Sequence, residues 1–166
     1  MPTTKGSAVI TKPADDQILI EREFDAPRHL VYRAYTEPEL IRQWWSGLRG
    51  EMTVCDVDLE VGGRYRFAMT ANEGFEVAFN GVYREIAPDE RIVHTEIYEG
   101  APEPGGPDGE GAINTVTFEE NDDRTTLTIL MEVANKEERD MILSTGMEGG
   151  LQEALDLMEQ TATSLA

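Results

Sequence analysis

The sequence predicts an α+β domain in which a curved antiparallel sheet faces one long C-terminal helix, and three observations carry that expectation. Between Glu51 and Val133, strand-length apolar alternations are separated by turn signals, with no helical period among them. Met147, Leu151, Ala154, Leu155, Met158 and Ala162 recur at steps of three and four, which draws one apolar stripe along a helix. Gly81 interrupts the middle of an apolar strand, where a bend or bulge lets a sheet curl. A chain of 166 residues, 40% of them apolar, can bury one core, so one domain is expected.

Residues 1–16 are polar and contain two prolines without any period, so they are expected to form a flexible arm, with residues 17–166 as the domain. In Ile18, Ile20, Arg22 and Phe24 every second side chain shares a face, the period of a half-buried strand. Pro27 suits the first turn of a helix carrying Leu30, Val31, Ala34 and Tyr35. A second short helix follows, with Thr36 expected as its N-cap, Pro38 in its first turn, and Leu40, Ile41, Trp44 and Trp45 on its apolar side.

Six strands are then expected: EMTVCDVDLE, RYRFAMT, FEVAFNGVYREI, RIVHTEIY, AINTVTFEE and RTTLTILMEV. Gly62-Gly63, Asn72 with Gly74, Pro88-Asp89 and Asn121-Asp122-Asp123 supply the turns. The Pro-, Gly- and acid-rich stretch 99–111 is expected to be a mobile loop at the mouth of any cavity, beside Trp44 and Trp45. Asn135 with Glu138 three residues on reads as a capping pair for the final helix. Gly146, Gly149 and Gly150 each weaken that helix by ~1 kcal/mol relative to Ala, so a kink or a close backbone approach is expected there.

The charge balance restricts partners. Fourteen basic residues against 33 acidic ones leave a net charge of −19. That field repels phosphate backbones and anionic headgroups, so neither nucleic acid nor a membrane surface is expected as a partner. The surplus suits a high-salt cytosol or an ordinary soluble surface. A single cysteine, Cys55, forms no internal disulfide and no cysteine-based metal site. With no apolar run of spanning length and no secretory pattern in MPTTKGSAVITKPADD, a cytoplasmic location is expected. A homodimer is compatible with the sequence.

The element order, strand, two short helices, six strands and a long helix, is that of the helix-grip fold. FDAPRHLVYRAYTEPELIRQWW resembles the opening of the family related to the activator of the ninety-kilodalton heat-shock-protein ATPase, within the SRPBCC (START-like) superfamily. Asp58 followed by Gly62-Gly63, and then GVYREIAPDERIVHT, continue the resemblance, which runs from about Ile18 to Met158. It implies a cavity between sheet and final helix that often holds an apolar small molecule, and it implies no cofactor. It does not imply chaperone stimulation, because the founding eukaryotic protein carries an additional N-terminal domain. Thr145-Gly146-Met147 stands where many relatives have TGW, which replaces a rigid indole with a flexible Met.

Catalysis needs a positioned acid, base, nucleophile or metal, so the rare residue types are the first candidates. His29 and His94 lie far apart, and neither has a metal-binding spacing. His94 reads as a strand or pocket-lining residue before a general base, and Cys55 as a buried small residue with no base beside it. Asp56, Asp58 and Glu60 read as a solvated face, with Asp58 a candidate partner for an inward Arg22, since a buried charge needs one. No residue is therefore assigned to catalysis and none to a metal.

The binding candidates are Trp44, Trp45, Tyr65, Phe67, Met69, Phe79, Tyr83, His94, Met131, Met147 and Leu151. Most apolar side chains at these spacings are core, yet a strongly curved sheet with one helix does not fill its own concavity, and apolar pockets with a few polar groups hold small molecules. The expectation is a non-enzymatic binding protein for a hydrophobic small molecule. The rivals are a cyclase- or hydrolase-like enzyme using the same pocket and a co-chaperone-like interaction module.

Overall fold

The computed structural model describes residues 6–166. Its strands are β1 (Val9–Thr11), β2 (Gln17–Phe24), β3 (Gly50–Val57), β4 (Arg64–Ala71), β5 (Glu76–Ala87), β6 (Arg91–Tyr98), β7 (Ala112–Asn121) and β8 (Arg124–Glu132). The helices are α1 (Arg28–Thr36) and α2 (Pro38–Ile41) after β2, and α3 (Lys136–Ser144) and α4 (Met147–Thr163) at the end. All eight strands form one antiparallel sheet in the order β1-β2-β8-β7-β6-β5-β4-β3. The meander β3–β8 follows from its turns, and β2 closes on β8 with Ile20 opposite Ile129 and Arg22 opposite Leu127. The α+β helix-grip architecture expected from the sequence is present.

Alternation places Ile18, Ile20 and Phe24 of β2, Leu127 of β8, Val116 and Phe118 of β7 and Ile92 of β6 on the concave face, all buried. Leu30, Val31 and Ala34 of α1, and Leu155, Met158 and Ala162 of α4, close over them. Arg22, fully buried in phase with Ile20 and Phe24, ties sheet to helix: its guanidinium lies 3.0 Å from Asp156 and 2.9 Å from Glu159. The expected Arg22–Asp58 pair does not form. Asp58 is exposed at the far edge of the sheet, and the carboxylates that neutralise Arg22 come from α4.

Four other expectations are corrected. The arm is not loose from Gly6 onward: β1 pairs with β2, and Gln152 of α4 clamps Ala8 through both its amide N–H (3.0 Å) and its carbonyl (2.7 Å). Backbone pairing needs no side-chain period, so the pattern could not announce it. Residues 1–5 of that arm lie outside the described residues. Thr36 ends α1, where its hydroxyl donates to the Tyr32 carbonyl, and Glu37 caps α2. The loop 99–111 is tethered, since Gly106 N–H donates to Glu138 and Arg84 pairs with Asp108 and Glu110. Phe75 lies in the turn before β5 and is 58% exposed.

The final helix is split. Asn135 caps α3 through Glu138 N–H as the sequence implies, but Gly146 adopts φ 77°, ending α3 and opening α4 at a new angle. A left-handed residue is where glycine is nearly free of steric cost. The expected kink is therefore a full break.

Candidate functional site

Between the concave face and α4 lies a cavity of about 200 Å³. Of the binding candidates, Trp44, Trp45, Tyr65, Phe67, Tyr83, His94, Met131, Met147 and Leu151 line it. Met69 and Phe79 do not. Met69 sits one step beyond Phe67 along β4, opposite Met52, and Phe79 is covered by Trp45, whose ring packs edge-on at 5.9 Å. The 99–111 loop is likewise absent from the lining. Nor is Trp44 a mouth residue, for it is 8% exposed, stacks on Tyr35 at 6.0 Å and donates its indole N–H to the Ala34 carbonyl.

The polar part of the wall is built on an interruption of the ladder. β5 and β6 pair regularly at Phe79–Tyr98 and Asn80–Ile97, then resume at Tyr83–His94. In the gap, Val82 N–H donates to the Thr95 hydroxyl (2.9 Å), and the Thr95 carbonyl accepts from the Tyr65 hydroxyl (2.5 Å). Tyr65 reaches β6 from β4 because Gly81, its cross-strand partner, has no side chain: a Cβ there would run into both the Thr95 carbonyl and the Tyr65 ring. The glycine expected to bend the sheet instead lets an aromatic ring lie across it.

The protons of this cluster can be placed by inventory. Tyr65 has one hydroxyl proton and gives it to the Thr95 carbonyl, so the 3.1 Å contact between Tyr65 Oη and His94 Nδ1 requires Nδ1 to be the protonated nitrogen. His94 Nε2 then accepts from the Tyr35 hydroxyl at 3.0 Å. Burial lowers His94 to about 4, so the ring is neutral, and its basic nitrogen is already engaged. Burial pushes Tyr35, Tyr65 and Tyr83 up, with the Glu96 charge adding to the first two. The arrangement holds a polar surface neutral and rigid; it does not present a free base or a tyrosinate.

Six lining residues were not among the candidates: Ile20, Tyr35, Glu96, Asn114, Ile129 and Leu155. Ile20, Ile129 and Leu155 were in phase with the inward faces and read as core, and Tyr35 lay on the apolar side of α1. Glu96 had a readable signal, the same strand parity as His94 two residues before it. Burial raises Glu96 to about 7, opposed by a hydrogen bond from Asn114. Asn114, 3% exposed, keeps an Oδ1 with no partner among the described residues.

The remaining rare residues stand outside the cavity lining. His29 is exposed on α1, and Asp56, Asp58 and Glu60 face solvent. Cys55 is buried, donates to the Pro38 carbonyl and has its thiol pushed up by burial. No cluster of three metal-ligating side chains occurs among the described residues. No helix there is long and apolar enough to cross a membrane. A shallow groove of about 310 Å³ on the opposite side of the sheet is walled by charges that satisfy one another, Arg66 and Asn80 both bonding Glu99.

Solved structures share this architecture. A protein from Rhodobacter sphaeroides superposes with a TM-score of 0.84 at 22% identity, covering 95% of this chain and 98% of its own. One from Nitrosomonas europaea gives 0.79 at 21% identity, covering 92% and 97%. An AHSA1-like protein from Aeromonas hydrophila gives 0.64 at 20% identity, covering 90% and 93%. No functionally curated protein matches the chain. The sequence profile described as activator of Hsp90 ATPase homolog 1-like protein matches residues 25–163, nearly the whole of the grip, and the chain belongs to that family.

Proposed function

We propose that the protein binds a small apolar or amphipathic molecule in the cavity between the sheet and α4 and does not act on it chemically. The observation that carries this reading is the pairing of an aromatic and thioether wall with a Tyr35–His94–Tyr65 cluster that is neutral and already bonded within itself. Such a wall favours burial of a ligand, and a few fixed polar groups orient it. At about 200 Å³ the cavity suits a one- or two-ring molecule, given that a dry cavity of ~150 Å³ takes up benzene. Met131 and Met147 allow modest expansion, since unbranched thioethers repack readily.

The test is native mass spectrometry with thermal shift against a panel of small ring compounds, read alongside the emission of Trp44 and Trp45. A ligand at 100 times its Kd is expected to stabilise the fold by ~2.7 kcal/mol. No bound species, no stabilisation and unchanged indole emission across the panel would overturn the reading. The enzymatic rival predicts instead that changes at His94 or Tyr35 abolish turnover of a bound compound while leaving its affinity intact.

A further inference from the structure

One side of the cavity is dominated by hydrogen-bond acceptors. His94 is the cross-strand partner of Asn114 and Ala112 that of Glu96, so Glu96 and Asn114 lie diagonally on one face of β6 and β7. The amide of Asn114 donates to Glu96, and its buried Oδ1 is unpartnered among the described residues. Tyr35 spends its proton on His94, which leaves its oxygen as an acceptor. No lysine or arginine is among the described lining residues, so the cavity wall they form offers the Glu96 carboxylate no counter-cation. A carboxylate lining an apolar cavity and half withdrawn from water favours one. Trp45, Tyr65 and Tyr83 line the same cavity, and aromatic faces attract cations.

We propose that the ligand of this cavity is an organic amine, its ammonium group donating to Glu96 and Asn114 Oδ1 and its ring body lying against the aromatic and methionine wall. The inference rests on the ligand-binding reading and adds the class of ligand. An ammonium brings three donors to a place that offers acceptors, and the net charge of −19 concentrates cations at the surface before entry. Because burial holds Glu96 near 7, a bound cation would also draw the carboxylate fully into its charged form.

The test compares three probes of nearly equal shape at pH 8 by calorimetric titration: 2-phenylethylamine, propylbenzene and 3-phenylpropanoate. The amine is expected to bind at least tenfold more tightly than either isostere. Glu96→Gln should reduce amine affinity at least tenfold while leaving propylbenzene unchanged. Propylbenzene or the carboxylate binding as tightly as the amine, or an amine affinity unchanged in E96Q, would overturn the amine proposal and leave the ligand-binding reading standing. The same holds if none of the three binds but a neutral ring compound from the panel does. If nothing binds at all, both readings fall.

Discussion

Two side chains two residues apart on β6 carry opposite protonation demands. Burial holds His94 neutral, lowering it from 6.5 to about 4, and holds Glu96 protonated, raising it from 4.5 to about 7. By linkage, the His94 contribution to stability is full above pH 6.5 and is lost as pH falls towards 4, while the Glu96 contribution is full below 4.5 and is lost as pH rises through 7. Between pH 4.5 and 6.5 the unfolded chain carries the proton on His94 and the folded chain carries it on Glu96, so the two slopes cancel. The other groups facing this pair are Asn114 on β7, Tyr35 on α1, Tyr65 on β4 and Tyr83 on β5, all uncharged in this range, and Met147, Leu151 and Leu155 on α4 bring no charge. Urea unfolding from pH 4 to 8 should therefore be nearly flat across that window in the wild type. Glu96→Gln should unmask a loss of stability on acidification, and His94→Gln a loss on alkalinisation, each at most ~1.4 kcal/mol per pH unit. Parallel profiles in all three proteins would refute the assignment. His94 was visible in the sequence because histidine is rare here; Glu96 was not, because it is one of 33 acidic residues and only strand parity distinguished it. Asn114 was hidden for a similar reason, since an amide in a strand carries no sign of which bonds it lacks.

At the scale of elements, periodicity revealed nearly everything that buries a face. The order of β2 to β8 and the inward stripe of α4 were legible because each leaves an apolar repeat, and the Asn135 cap because Asn and Glu stand three residues apart. What left no repeat was lost: β1, which is held by backbone pairing and by Gln152, and the depth of the break at Gly146. Glycine in a helical stretch signals weakness there, but whether the chain bends or breaks depends on the sheet that the two pieces must reach. Gly146 at φ 77° makes this testable. Gly146→Ala should cost about 1 kcal/mol, the left-handed penalty less the stabilisation from the lower entropy of the unfolded chain, and lower Tm by about 3 °C. A rise in Tm would mean that α3 and α4 gain by fusing into one helix.

Taken whole, the molecule is a strongly acidic shell around a largely apolar core whose buried cation, Arg22, is matched by carboxylates of α4. Surface pairs such as Arg33–Glu37 and Arg66–Glu99 contribute little individually, whereas the excess of acid acts over the entire surface. Raising NaCl from 0.1 to 1 M shortens the screening length from ~10 Å to ~3 Å, so Tm should rise by several degrees. A fall would show that the local pairs outweigh the long-range repulsion. The anchoring of α4 has a further consequence at this scale. Arg22 fastens the C-terminal half of α4, at Asp156 and Glu159, and Gln152 fastens its middle to Ala8, while the first turn, bearing Met147, begins at an exposed glycine. On the ligand-binding proposal, the least anchored turn of α4 is the expected way into the cavity. Entry and exit would then share one gate, and tightening it would lengthen residence time without changing how firmly the occupant is held at equilibrium.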